Sequence, residues 1–195
     1  MIETTESLRF KYSEYKNKDT KIAREVKKGN LIKLKNGLYE TDRSVGGLTL
    51  GTAIYGPSYV SFEKALEYYE MIPERVYTYT LATCDKKKKK KFTNAFGTFE
   101  YRDVPPDVFP LGIVIEKYDG HEFLIASPEK ALCDLLYTIV PMKNMKDMEN
   151  LLIEDLRIYE DELDNLNYEE IETLAQYYHS TNVTLFKKYM KRRIG

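Results

Sequence analysis

Seven cations sit close together near the start of the chain: Lys18, Lys21, Arg24, Lys27, Lys28, Lys33 and Lys35. Ammonium and guanidinium groups at this spacing suit one kind of chemistry, the neutralisation of phosphates with release of their counterions. A second run, Lys86, Lys87, Lys88, Lys89, Lys90 and Lys91, is unbroken. It has two readings: a solvated loop at a hairpin tip, or a contact with phosphates or an acidic partner. If each lysine met a phosphate, the salt dependence of binding would steepen by roughly 0.9 per contact. Catalytic chemistry has no comparable assembly. His121 and His179 are the only histidines and fall in no HExxH or paired metal spacing. Cys133 lies on an apolar helix stripe and reads as a buried small hydrophobe. Cys84 adjoins the lysine run, a neighbourhood that can lower a thiol's pKa, but a reactive thiol is the lesser of its two readings. The chain has no Walker loop and no GxGxxG. The acids from Asp147 onward read as solvated helix faces rather than a two-metal cluster. No catalytic residue, metal ligand set or cofactor is expected.

The first cationic cluster needs elements to aim it. Asp19 or Thr20 can cap a helix that begins there. At about 100° per residue Ile22, Ala23 and Val26 share one side, while Lys21, Arg24, Lys27 and Lys28 share the other. Gly29 supplies the left-handed residue that ends it. Ile32 and Leu34 alternate with Lys33 and Lys35 as in a half-buried strand. Asn36-Gly37 is a hairpin turn, which predicts Leu34 opposite Tyr39 and Lys33 opposite Glu40. A basic helix followed by a tight hairpin is the second half of a winged-helix DNA-binding unit. The alternative is an ordinary amphipathic helix with a solvated lysine face.

Beyond it, Asp42 to Leu48 carries turn formers and reads as a junction. A short helix is expected over Leu48–Tyr55. A second opens at the cap Ser61 and ends at Pro73, with Phe62, Ala65, Leu66 and Tyr69 on its inner side. Strands are expected over Val76–Thr83 and within Phe92–Arg102, and a hairpin around Asp119-Gly120. Ser127 caps a third helix with Pro128 at its first position. That segment, SPEKAL, nearly repeats SFEKAL at Ser61; two independent uses of good capping chemistry are expected, not a structural repeat. Met145 to Ile194 reads as helical, with breaks near Asn165–Asn167 and Ser180–Asn182. In Tyr68-Tyr69 and Tyr177-Tyr178 one ring of each pair should face the core.

A length of 195 residues suits one large domain or a small and a medium one. The net charge of −1 conceals blocks. Between Lys16 and Lys35 the only acids are Asp19 and Glu25, whereas Arg157 is the only cation between Asp147 and Glu172. Such separation suggests a cationic end for nucleic acid and an acidic surface kept away from it. No apolar run is long enough to span a bilayer, and MIETTESLRF lacks a signal core, so neither membrane insertion nor secretion is expected. Two isolated cysteines fit a reducing cytoplasm.

Several segments, taken in order, resemble the AbiEi family of antitoxins. They are Val26-Lys27-Lys28-Gly29-Asn30-Leu31 with Lys35-Asn36-Gly37-Leu38-Tyr39, then Tyr55 to Ser61 (YGPSYVS) and the helix to Ile72-Pro73-Glu74. The strand Phe96 to Tyr101 (FGTFEY) and Ile125 to Asp134 (IASPEKALCD) follow. The resemblance implies an α+β protein: a short winged-helix-like unit over 1–45, then a larger antitoxin domain over 46–195 with a helical C-terminal part. It implies a cytoplasmic, non-enzymatic antitoxin of a type IV toxin–antitoxin system, active in abortive infection and phage defence. Such a protein represses its own operon by binding operator DNA and counteracts a nucleotidyltransferase toxin of the AbiEii type, without need of a stable complex. The family's DNA contacts correspond to Lys21, Arg24, Lys27, Lys28, Lys33 and Lys35. The family has a full helical pair before the recognition helix; Met1 to Asn17 leave room for about one short helix at 1.5 Å per residue. The alternative function is therefore a protein-interaction module whose degenerate winged helix does not bind DNA. An enzyme using the acidic block for metal-assisted phosphoryl chemistry is a third reading.

Overall fold

A computed structural model describes residues 1–194 and is mixed α and β throughout, ending in a helical part. The first unit is built on three short strands, β1 (Ile2–Thr4), β2 (Ile32–Lys35) and β3 (Leu38–Glu40), in the order β1-β3-β2 and all antiparallel. Helices α1 (Thr5–Lys11) and α2 (Lys18–Lys28) fall between the first two strands. Leu8, Ile22 and Leu31 form a small buried core, ringed by Tyr12, Val26 and Tyr39. The helix and hairpin stand where the sequence places them, but three details differ. The cap of α2 is Asn17, whose Oδ1 accepts from the Thr20 amide at 3.0 Å; Asp19 is instead taken up by Arg9. Ala23 is exposed, whereas Ile22 is buried with Leu8 and Leu31 and Val26 is half-buried against that cluster. A bulge at Leu34 shifts the hairpin, so Lys33 stands opposite Tyr39 and Ile32 opposite Glu40. The bulge frees Leu34 to enter the main core, where it is 2 % exposed.

The larger unit is a six-stranded mixed sheet. Its strands are β4 (Tyr59–Val60), β5 (Thr78–Thr83), β6 (Lys90–Asn94), β7 (Gly97–Asp103), β8 (Ile113–Tyr118) and β9 (His121–Ala126), in the order β6-β7-β5-β4-β9-β8. β5 runs parallel to β7 and β4 parallel to β9; the other pairs are antiparallel. This corrects the hairpin-tip placement of the lysine run. The tip lies at Ala95–Phe96, between β6 and β7, and the lysines form the crossover from β5 into β6.

Helix α3 (Gly47–Ile54) lies directly on β5. A Cβ at Gly47 would sit 2.1 Å from the Tyr79 ring, and one at Gly51 would sit 2.5 Å from Leu81. Two glycines four apart thus match two side chains two apart on the strand, and Tyr101 donates to the Gly51 carbonyl at 2.7 Å. Helix α4 (Phe62–Tyr68) follows β4, and α5 (Pro128–Thr138) follows β9. Because β4 and β9 are parallel neighbours with Val60 opposite Ile125, the two S-x-E-K-A-L segments follow adjacent strands, one residue out of register with each other. The two helix starts are capped differently. Ser127 caps α5 by accepting from the Lys130 amide, whereas the corresponding Lys64 amide is capped by Thr80 from β5. α4 ends at Tyr68, short of Pro73, and Glu70 turns the chain with a φ of 58°.

The C-terminal part comprises α6 (Met145–Asn150), a π-helical turn (Leu151–Asp155), α7 (Glu160–Asp164), α8 (Tyr168–Tyr178) and α9 (Thr181–Ile194). The breaks at Asn165–Asn167 and Ser180 fall as expected; the break around Arg157 was not anticipated. Tyr178 is buried and Tyr177 exposed, while Tyr68 and Tyr69 are both half-buried. None of the helices described is long and apolar enough to cross a membrane.

Candidate nucleic-acid interface

The seven N-terminal cations do not form one set. Lys18, Arg24, Lys27 and Lys28 are exposed on α2. Arg24 and Lys27 enter no ion pair among the described residues, and Lys28 reaches Glu25 only at 3.9 Å. Lys21 is withdrawn. Its Nζ lies 2.9 Å from Glu25 and over the rings of Tyr12 and Tyr15, at 5.4 and 4.8 Å from their centroids. The Glu25 carboxyl, hydrogen-bonded by Asn30 and then by Lys21, is held below the usual carboxylate range, and the same contact raises Lys21. Lys21 therefore joins α2 to the turn before it, a role that its place on the basic side of the helical wheel did not suggest. Arg9 and Asp19 form a bidentate pair at 2.8 and 2.9 Å that ties α1 to α2.

The hairpin cations meet the second lysine run. Lys33 and Lys35 from β2 and Lys91 from β6 line one cleft of about 540 Å³, together with Asn36, Thr93 and Asn94; Leu34 and Phe92 complete it. Asn94 Nδ2 donates to the Leu34 carbonyl at 3.1 Å and fastens the hairpin to the sheet edge. The six lysines are themselves divided. Lys86 is spent on the Gly56 carbonyl at 3.3 Å and on the Tyr55 ring. The Lys87 amide donates to Asp103 at 2.6 Å. Lys88 and Lys89 stand exposed, and Lys90 and Lys91 belong to β6, opposite Tyr101 and Glu100. Burial pushes the Cys84 thiol up, with Asp85 and Asp103 adding to the effect and Lys86 opposing it, which goes with the unreactive of its two readings. Cys133 is fully buried, and its thiol is pushed up for the same reason.

A polar cluster in the core escaped the sequence reading. Lys130 and Asp134 are completely buried and 2.5 Å apart. Lys130 also donates to Tyr178 at 2.8 Å, and Tyr178 donates to Asp134 Oδ1 at 2.6 Å. Ser61 and Tyr59 donate to Asp134 Oδ2 at 2.7 and 3.1 Å. Both phenols are raised well above their ordinary pKa, first by burial and then by the Asp134 charge. Both Asp134 oxygens are thus saturated, and Lys130 lies over both tyrosine rings. The available signal was a lysine and an aspartate four apart in the middle of the apolar stripe of α5. Among the described residues, no group of three or more His, Cys, Asp or Glu is placed to hold a metal.

Compared with the known protein families and with curated proteins, the chain matches none.

Proposed function

We propose that this chain is a DNA-binding regulator and antitoxin of the AbiEi type, acting in the cytoplasm without catalysis of its own. The observation that carries the reading is the combination of exposed Arg24, Lys27 and Lys28 on α2 with a basic hairpin directly after it. The order strand, helix, helix, strand, strand, with β1 laid against β3, supports a winged-helix-like unit. In that reading α2 meets the duplex, Arg24, Lys27 and Lys28 contact phosphates, and Lys33 and Lys35 supply the wing. Phosphate contacts of this kind position a protein on DNA, and base edges supply specificity. The toxin partner, a nucleotidyltransferase of the AbiEii type, rests on the ordered motifs from Tyr55 to Asp134. Mobility-shift titration of the chain with its own upstream region, at several salt concentrations, tests the regulatory half. Rescue of growth on co-expression with a nucleotidyltransferase toxin of the AbiEii type tests the other.

A second reading, a protein-interaction module, is favoured by a different feature. A cleft of about 920 Å³ is lined by Glu67, Glu70, Glu74, Glu160, Asp161 and Glu162, with Arg75 and Tyr159 beside them. A basic partner co-purifying stably with a chain that is not retained by DNA would support this reading against the first.

A further inference from the structure

The cleft between β2 and β6 has a composition that the DNA-binding reading, on which this inference rests, does not by itself require. Three lysines, Lys33 and Lys35 from β2 and Lys91 from β6, line it from two strands far apart in the chain, and no carboxylate lines it. The nearest cross-strand acid, Glu100, is already engaged by Arg102 at 3.1 Å, and Arg102 also holds Glu63 at 2.9 Å. Like charges gathered in a concavity repel one another and raise the local affinity for an anion.

The approach to the cleft is held in shape. Asp103 accepts from the Lys87 amide at 2.6 Å and from Thr83 Oγ1 at 2.7 Å. Asp85 and Lys87 both adopt left-handed backbone, with φ of 55° and 59°, a conformation that needs such anchoring. The crossover carries Lys88 and Lys89 between this anchor and the start of β6. A fixed loop loses less entropy on binding than a free lysine tail.

We propose that the β2–β6 cleft and the anchored lysine loop form a second binding site for the sugar–phosphate backbone of the same duplex, so that the larger unit shares in DNA binding. Lys91 and Lys89 are its contacts from the larger unit, and Lys33 and Lys35 link it to the wing. The site carries no base-reading role. Its removal weakens binding to all sequences alike and shortens the protected stretch of DNA.

The test uses the full chain and the double variant Lys89→Ala/Lys91→Ala, whose side chains are exposed; an unchanged thermal midpoint confirms folding. Affinity for duplex DNA is measured from low to moderate salt. The double variant should reduce the slope of log K against log salt by about 1.8, or 0.9 for each lost phosphate contact, with sequence preference unchanged and a shorter footprint. An unchanged slope and footprint would overturn the proposal. Running Arg24→Ala/Lys27→Ala in parallel separates the two ideas. If that variant loses affinity while Lys89→Ala/Lys91→Ala does not, the cleft fails and the regulator reading stands. If the wild-type chain binds no duplex at all, both fall.

Discussion

Lys130 and Asp134 are ionic groups with no water to fall back on, so the cost of disturbing them is set by what is left behind. Removing one partner strands the other charge in the core, which costs about 3–5 kcal/mol. Asp134→Ala should therefore lower stability by that order in urea denaturation. It also removes the acceptor used by Tyr59 on β4, by Ser61 at the head of α4 and by Tyr178 on α8. Lys130→Met, which takes away a charge yet keeps the volume, should still be costly because Asp134 remains. Changing both residues to apolar ones of similar size should recover part of the loss. If Asp134→Ala unfolds at the wild-type denaturant concentration, the buried pair does not stabilise the core. Overpacking is the complementary case. Gly51→Val places side-chain atoms where Leu81 already sits, and should cost about 1–3 kcal/mol, seen as a drop in the thermal midpoint.

At the scale of elements, α2 is set by its ends and by Glu25. Asn17→Ala removes the cap from the Thr20 amide and should cost about 1 kcal/mol, read as a lower thermal midpoint of the N-terminal unit. The Glu25 carboxyl is depressed in the folded chain, so its stabilising effect is complete above the ordinary carboxylate range. It fades as pH falls through the depressed folded value, because the unfolded chain binds the proton first. Helical signal from this unit should therefore weaken on acidification below about pH 4.5, and Glu25→Gln should flatten that response. Much of this was legible in the sequence: the Gly29 stop, the Asn36-Gly37 turn, and Ser127 with Pro128 at the head of α5. Each is local chemistry, decided within four residues. The Leu34 bulge was not legible, since it depends on a pocket in the main core. Nor was the capping of α4 by Thr80, a residue on a strand that pairs only after the chain has folded back. The sequestration of Lys21 depends on Tyr12 and Tyr15, whose position follows from a turn with no strong signal.

For the whole molecule, the larger lesson concerns charge. The basic segments were readable as blocks, but not which lysines remain available. Folding withdraws Lys21 to Glu25, Lys86 to Gly56 and Tyr55, and Lys130 to Asp134. It leaves Arg24, Lys27, Lys28, Lys88, Lys89 and Lys91 exposed. It also brings Lys33, Lys35 and Lys91 to one cleft, a convergence set by sheet order and therefore invisible to any local pattern. The parallel placement of the two S-x-E-K-A-L segments belongs to the same scale, because β4 and β9 become neighbours only in the finished sheet. The proposed duplex binding, through the exposed cations of α2 and the β2–β6 cleft, entails a steep salt dependence. The most direct measurement is a mobility-shift titration on its own upstream DNA over a range of salt, with wild type beside Arg24→Ala/Lys27→Ala/Lys28→Ala. The wild type should be retained specifically, and the triple variant should show a slope shallower by about 2.7, from three lost contacts at about 0.9 each. Equal binding by the two proteins, or no retention of either at low salt, would contradict it.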